Sequence, residues 1–156
     1  MSATEVKVRL ATVADAAMLA RLRWELRSSF HIVVEDELDF MERCTLWMKE
    51  RLRGDGPWQC WIAESGATAI GSVWVQLIEK IPNPIAAPKH FVYLTNFFVR
   101  EEHRGQGTGS KLLAEALAWS GSKNVELILL WPTERSKPLY ARYGFESAND
   151  FMELVL

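Results

Sequence analysis

Three alternating glycines stand in the stretch Arg104-Gly105-Gln106-Gly107-Thr108-Gly109-Ser110. Residues 91–99 just before it are mostly apolar, as expected for a central strand that is covered on both faces. Apolar residues recur at helical spacing just after it, at Leu112, Leu113, Ala116, Leu117 and Trp119. Glycines let successive amides turn inward, and the N-terminus of the following helix adds positive potential. The stretch therefore favours a phosphate or pyrophosphate as its ligand, and Arg104 is placed to pair with an oxyanion of that ligand.

Three common nucleotide-binding motifs do not fit these glycines. A dinucleotide fingerprint of the type G-x-G-x-x-G that begins at Gly105 requires a glycine where the sequence has Ser110. A Walker loop has the same requirement, and Lys111 fits its next position but Leu112 does not. A kinase glycine loop belongs to a much longer chain. A plain glycine-rich turn and another type of nucleotide-binding domain remain alternatives on this pattern alone.

Composition narrows the class of protein. The chain has 156 residues, close to the size of one domain, with 49% hydrophobic and 24% charged residues, which argues against a disordered chain or a fibre. Its 18 basic and 20 acidic residues give a formal charge of −2, so the basic excess of a typical nucleic-acid binder is missing. We therefore expect a single domain over residues 1–156 that binds no nucleic acid.

The expected location follows from what the termini and the cysteines indicate. The N-terminus is polar and lacks a signal-peptide core, and no apolar run approaches the length of a membrane span. Cys44 and Cys60 are too few for a secreted disulfide framework, and both are expected to be buried packing residues. We expect a cytoplasmic protein that binds no membrane.

Hydrophobic periodicity predicts an α/β domain with a mixed sheet, in the order βααβββαβαβ. The predicted strands are Val6–Leu10, Trp58–Glu64, Ala69–Lys80, Phe91–Val99, Val125–Trp131 and Phe151–Leu156. A capping box of Thr12 and Asp15 begins the first helix, and Gly54 ends the second. The third follows the glycines, and the fourth covers Lys137–Tyr143.

Two motifs in this order resemble the GNAT superfamily of N-acetyltransferases. Arg104 to Gly109 matches the superfamily pattern (R/Q)-x-x-G-x-(G/A) at every fixed position. Tyr140, followed after three residues by Gly144-Phe145, matches its second signature. The order of elements agrees from Val6 to Leu156. The resemblance implies a GNAT-like mixed sheet flanked by helices, and an enzyme that uses acetyl-CoA to acetylate a primary amine by direct attack in a ternary complex.

The same resemblance assigns residues to the cofactor. The amides of Arg104, Gly105, Gln106, Gly107, Thr108, Gly109 and Ser110 would hold the pyrophosphate. Phe97, Phe98 and Val99 would hydrogen-bond the pantetheine arm as a neighbouring strand does, so the strand Phe91–Val99 must part from Val125–Trp131. A backbone amide near Phe98 or Val99 would polarise the thioester carbonyl. Ser136 would be a hydrogen-bond partner for CoA.

Tyr140 is the implied catalytic acid, which would give its proton to the departing CoA thiolate. A phenol titrates at about 10 and a thiol at about 8.5, so Tyr140 is protonated at neutral pH when the thiolate appears. The alternative is a packing aromatic on a short helix. No His, Cys or Asp cluster has metal-ligand spacing, so no metal is expected.

The sequence departs from the superfamily at the general base. Many members carry a glutamate in the strand before the glycines, where this chain has Thr95 and Asn96. Neither is a base at neutral pH, and either would position a water or the acceptor. The base then comes from elsewhere, with His31 as a candidate, or the amine arrives neutral.

The acceptor pocket is expected to include the segment 28–39, with Phe30 and His31 as candidate contacts. Its four carboxylates, Glu35, Asp36, Glu37 and Asp39, would attract a cationic amine or simply complement the dipole of a helix start. The missing acid at Thr95 and Asn96 also motivates an alternative, a non-catalytic module that binds acyl-CoA or a partner. The sequence decides neither the acceptor, a small molecule or a protein amino group, nor whether the chain forms a homodimer.

Overall fold

The structure is a computed structural model that describes residues 4–30 and 35–156. Its strands are β1 (Val6–Leu10), β2 (Trp58–Ser65), β3 (Thr68–Glu79), β4 (His90–Val99) and β5 (Val125–Leu129). Its helices are α1 (Ala16–Ser28), α2 (Glu37–Arg51), α3 (Thr108–Ser122) and α4 (Lys137–Arg142). No helix in these ranges is long and apolar enough to cross a bilayer.

The five strands form one mixed sheet in the order β1-β2-β3-β4-β5. Neighbouring strands are antiparallel from β1 to β4, and β5 runs parallel to β4. The parallel pair needs a crossover, which α3 supplies between β4 and β5. The mixed α/β architecture predicted from the sequence is confirmed.

Helices cover both faces of the sheet, and each face has its own core. Leu19 of α1, Met48 of α2 and Trp74 of β3 belong to one buried cluster. Val92 and Leu94 of β4 pack with α3 and with Tyr140 of α4 in the other. Because side chains alternate along a strand, Tyr93 and Thr95 of β4 lie on the α1 and α2 face.

β4 is irregular in its second half. Its pairing with β5 extends only to Tyr93 opposite Leu129, although β4 itself continues to Val99. Its register with β3 shifts between Ser72 and Trp74, and Asn96 on β4 has a left-handed φ of 51°. A bulge of this kind bends a strand and turns its side chains to new directions. Over residues 94–99, β4 therefore has no hydrogen-bonded neighbour among the described residues on the side of the edge strand β5, which agrees with the separation expected from the sequence.

The predicted last strand, Phe151–Leu156, is wrong. The structure assigns no strand there, and these six residues are all exposed. Phe151 lies against the ring of Trp131 with centroids 5.9 Å apart. Apolar residues in a short run favour an extended chain, but a strand also needs a hydrogen-bonded neighbour, and the sequence pattern does not show whether one is in register.

Candidate functional site

The glycine stretch forms a turn that leads into α3. Gly105 and Gly107 have left-handed φ values of 72° and 83°. Nothing lies within 4 Å of the position where a Cβ would be at either residue, so the backbone conformation rather than space demands glycine. Gly107 is the N-cap of α3, and no side chain caps the helix. The first N–H groups of α3, from Thr108 onward, are thus left for an anionic ligand.

Thr108 adds an unpartnered polar atom to this helix start. The residue is only 2% exposed, and its hydroxyl has no hydrogen-bond partner among residues 4–30 and 35–156. A buried hydroxyl without a partner is costly, so a ligand oxygen at this position would stabilise it. The turn, the uncapped helix and this hydroxyl together fit the pyrophosphate of a CoA molecule.

A cavity of about 720 Å³ lies beside this turn, between it and the end of α1. Its lining includes Arg104, Arg135, Phe98, Thr133 and Phe30. The Nε of Arg104 donates to the carbonyl oxygen of Val99 at 2.8 Å, and burial together with the nearby Arg135 lowers the pKa of Arg104. Arg135 was not predicted from the sequence, because its proximity to Arg104 depends on the fold.

An ion pair closes the cavity on the α1 side. Arg100 donates from Nε and Nη2 to the carboxylate of Glu25, both at 2.8 Å, and from Nη1 to the carbonyl of Ala69 at 2.9 Å. Glu25 and Arg100 both line the cavity. Their charges neutralise each other, and the pair fastens α1 to the end of β4.

The main chain of β4 offers hydrogen-bonding groups where β5 has departed. The N–H of Arg100 donates to Ile70 of β3, so by alternation Val99 and Phe97 face away from β3. The carbonyl of Val99 is already used by Arg104, which leaves its N–H and the groups of Phe97 for a ligand strand. The main chain of Phe98 faces β3 instead, and this residue contributes to the cavity wall.

Tyr140 lies in α4 behind this part of β4. Its ring centroid is 6.1 Å from that of Phe97 and 5.5 Å from that of Phe145, and the residue is 7% exposed. Its hydroxyl makes no hydrogen bond within the described residues, and burial raises the pKa of Tyr140 to about 12. The phenol therefore keeps its proton over the whole physiological range.

Ser136 stands at the N-cap of α4 but uses its hydroxyl locally. The oxygen accepts from the N–H of Thr133 at 2.9 Å and donates to the carbonyl of Thr133 at 2.9 Å. Thr133 itself lines the cavity, and Ser136 does not. The expected contact between Ser136 and CoA stays a prediction, and it requires this turn to rearrange.

The structure brings Thr95 and Asn96, which are predicted to position a water or the acceptor, to the face covered by α1. Thr95 lies opposite Trp74, and the side-chain oxygen of Asn96 accepts from Nη1 of Arg23 at 3.1 Å. Phe30 is 48% exposed at the end of α1. The predicted contact His31 lies outside the described residues.

Most of the acidic residues at the start of α2 make contacts within the protein or cap the helix. Glu35 forms an ion pair with Arg43, which lowers the pKa of that carboxyl, and Glu37 forms one with Arg21. Asp36 is the N-cap residue of α2. These contacts favour the interpretation of the segment as a helix start over that of a trap for cationic amines.

Neither cysteine is prepared for covalent chemistry. Cys60 is fully buried and Cys44 half-buried, and burial raises the pKa of both thiols. A thiolate is the nucleophilic form, and burial disfavours that form at both positions. No group of three His, Cys, Asp or Glu side chains in the part of the chain that the structure describes could hold a metal ion.

The chain is similar to known proteins in both family and fold. The profile of the acetyltransferase (GNAT) family matches residues 19–145. No curated protein matches the sequence. Among solved structures, a predicted acetyltransferase of Clostridium acetobutylicum with acetyl-CoA has a TM-score of 0.80 at 22% identity, over 97% of this chain and 96% of that chain.

Two further solved structures are similar. A GCN5-related N-acetyltransferase from Ralstonia eutropha has a TM-score of 0.75 at 24% identity, over 97% of this chain and 99% of that chain. An aminoglycoside N-acetyltransferase in complex with CoA has a TM-score of 0.74 at 16% identity, over 97% of this chain and 95% of that chain. At these identities the likeness shows the fold.

Proposed function

Since the chain belongs to the acetyltransferase (GNAT) family, we propose that it is an acetyl-CoA-dependent N-acetyltransferase. It transfers the acetyl group to a primary amine, which attacks the thioester directly while donor and acceptor are both bound. One observation carries the proposal. The unpaired edge of β4 over residues 94–99 leads straight into the uncapped start of α3 at Thr108. A thioester arm and its diphosphate need these two features in this order.

Groups of the glycine turn, the start of α3 and the unpaired part of β4 hold acetyl-CoA in this proposal. The first amides of α3 and the hydroxyl of Thr108 hold the diphosphate, with Arg104 and Arg135 supplying positive charge. The main-chain groups of Phe97 and the N–H of Val99 pair with the pantetheine amides as a neighbouring strand would. These contacts exclude water from the reacting carbonyl and fix its direction.

The transfer step balances without a further reactant. The amine nitrogen attacks the thioester carbonyl carbon, an N–C bond forms and the C–S bond breaks. The proton that the amine loses balances the proton that the thiolate finally gains. Tyr140 donates a hydrogen bond to the sulfur as negative charge develops there. A phenol whose pKa is about 12 is a weak acid, so this hydrogen bond, more than complete proton transfer, assists the leaving group.

The amine must be neutral when it attacks. No carboxylate stands at Thr95 or Asn96, and their side chains are suited to orient a water or the amine itself. The amine then loses its proton to water before or during attack, and the rate follows the fraction of amine that is deprotonated.

Release of free thiol from acetyl-CoA tests the function. Purified protein is given acetyl-CoA and, one at a time, amino acids, polyamines, aminoglycosides and peptides with free N-termini. We expect thiol release with at least one amine to exceed the rate with acetyl-CoA alone. Mass spectrometry should show an acetyl group added to that amine. Amine-independent release only would contradict the proposal.

A second candidate follows from the missing carboxylate at Thr95 and Asn96. A module that binds acyl-CoA without catalysis would keep every cofactor contact and lose the acceptor chemistry. Calorimetry distinguishes the two, since tight acetyl-CoA binding without transfer to any amine favours this module. Thermal shift with ATP is the control, because a ligand stabilises the fold in proportion to its occupancy.

A further inference from the structure

Arg23 of α1 is a half-buried cation that meets Asn96 of β4 across 73 positions of sequence. Its Nη1 donates to the side-chain oxygen of Asn96 at 3.1 Å. Over residues 4–30 and 35–156 it forms no ion pair. The seven remaining residues contain no Asp or Glu.

Two other arginines that contact or belong to α1 have anionic partners, and Arg23 has none within the described residues. Arg21 on the same helix pairs with Glu37, and Arg100 pairs with Glu25. The charged neighbour of Arg23 is Arg27, one helical turn along, and burial together with this second cation lowers the pKa of Arg23. A half-buried guanidinium without an anion is costly, and the local potential is positive.

The position of this charge is close to the proposed chemistry. Asn96 is the left-handed residue of the β4 bulge, and the next residue, Phe97, contacts the ring of Tyr140. The side chain of Asn96 meets α1, on the face opposite the core that holds Tyr140. Arg23 does not line the cavity that contains Arg104 and Arg135. Its charge therefore lies apart from the site proposed for the diphosphate.

We propose that Arg23 binds a carboxylate of the acceptor, so that the acceptor is a small amine that also carries a carboxylate, such as a free amino acid. This inference rests on the proposed acetyl transfer. The planar guanidinium has donors left after its bond to Asn96, and a carboxylate is the anion whose geometry matches them. Asn96 holds the guanidinium at the point where β4 parts from β5, with its amide group beside the bound acid.

Matched pairs of acceptors test this inference. Leucine, phenylalanine and lysine are each compared with the amine that lacks only the α-carboxylate: isoamylamine, phenethylamine and cadaverine. The measured quantity is kcat/KM for thiol release from acetyl-CoA, calculated on the concentration of neutral amine at the assay pH. This corrects for the lower amine pKa of each amino acid relative to its decarboxylated partner. For the accepted side chain, we expect the acid to be preferred at least about tenfold, the change expected for one charge-assisted hydrogen bond.

Variants of Arg23 test whether this side chain causes the preference for the acid. Arg23→Met should bring the ratio for acid over decarboxylated amine close to one, and Arg23→Lys should restore part of it, because the charge remains without the planar fork. Arg53→Met is the control, since Arg53 is an exposed arginine beyond the end of α2, and its ratio should match that of the unaltered protein. Calorimetric binding of acetyl-CoA shows that each variant is folded.

The outcomes separate this inference from the function beneath it. Transfer to both members of each pair at equal kcat/KM, or a preference that survives in Arg23→Met, overturns the role of Arg23 and leaves acetyl transfer in place. Absence of transfer to every amine overturns the proposed function, and the inference with it.

Discussion

Burial fixes both the orientation and the protonation state of the Tyr140 phenol. Its ring is held between Phe97 and Phe145, which fixes the direction of the phenol without using the hydroxyl. The same burial raises its pKa to about 12, so the hydroxyl remains a donor at any pH at which the protein works. A group in this state stabilises a thiolate through a hydrogen bond.

Tyr140→Phe should therefore lower kcat by about 100-fold, as removal of one hydrogen-bond donor to charge that develops in the transition state commonly does. The Kd for acetyl-CoA should change much less, because the ring and its packing remain. Steady-state kinetics and calorimetry measure the two quantities. Tyr143→Phe is the matched control: it removes an exposed phenol bonded to the carbonyl of Ser110, and we expect less than about a threefold effect. Equal turnover in Tyr140→Phe would remove this residue from the chemistry.

The pH dependence of kcat/KM distinguishes the role of Tyr140 as a hydrogen-bond donor from the role of the general base. Because the pKa of Tyr140 is raised, its proton is lost only at higher pH than for an ordinary phenol, and no alkaline decline in rate is expected below about pH 10. Without a carboxylate at Thr95 or Asn96, kcat/KM should rise with pH toward the pKa of the acceptor amine. A plateau above about pH 7 would indicate an imidazole base, for which His31 is the candidate.

The site residues that can be predicted from the sequence are those that belong to short motifs. The glycines and Tyr140 stand in fixed local spacings, so their positions can be read along the chain. The role proposed for Arg23 depends on its hydrogen bond to Asn96, and the role proposed for Arg135 depends on its proximity to Arg104. Both relations arise only in the folded chain. No local pattern marks such residues.

The turn before α3 depends on backbone conformation, which gives a prediction. Gly107→Ala places a Cβ on a residue with φ of 83°, at a cost of about 1 to 2 kcal/mol in the left-handed region. Relief of that strain would move the first amides of α3, so the Kd for acetyl-CoA should rise. Gly121→Ala is the control, since it lies in the last turn of α3 in open space and should stabilise the helix by about 0.5 to 1 kcal/mol. Unchanged binding in Gly107→Ala would contradict this role for the turn.

The bulge of β4 depends on the closeness of β3. A Cβ at Gly71 would lie 2.6 Å from the carbonyl oxygen of Phe98 and 3.2 Å from Cα of Val99. Gly71→Ala should thus lower the free energy of unfolding by about 1 to 3 kcal/mol, as overpacking does, and weaken acetyl-CoA binding. Denaturant unfolding measures the first effect. The adjacent Ser72→Ala removes a buried hydroxyl that has no partner in the described ranges and should be neutral or stabilising. Equal losses in both variants would show that the close approach is unimportant.

The helices and the first five strands follow from periodicity, because their apolar faces pack on a shared sheet. The C-terminal run Phe151–Leu156 has the same apolar character but no strand partner. Gly71 and the bulge at Asn96 were not predicted either, since both arise from the pairing of β3 with β4. Sequence patterns describe one element at a time, and these features belong to pairs.

The protein as a whole is a five-stranded sheet in which the edge strand β5 pairs with β4 over only the first part of β4. Helices on both faces hold β4 and β5 in place, and the two strands separate toward the start of α3. The side that we propose for the acceptor, with Arg23 and Asn96, lies under α1, and Tyr140 lies on the opposite face. This division would let the two proposed substrates meet beside the unpaired part of β4.

A crystal structure of the protein with CoA is the most direct measurement of this arrangement. We expect the diphosphate oxygens within hydrogen-bond distance of the main-chain nitrogens of residues 105–110, and the pantetheine arm alongside Phe97 and Val99. Diphosphate bound elsewhere, or a β4 edge that stays empty while CoA occupies another surface, would contradict the assigned site and the activity derived from it.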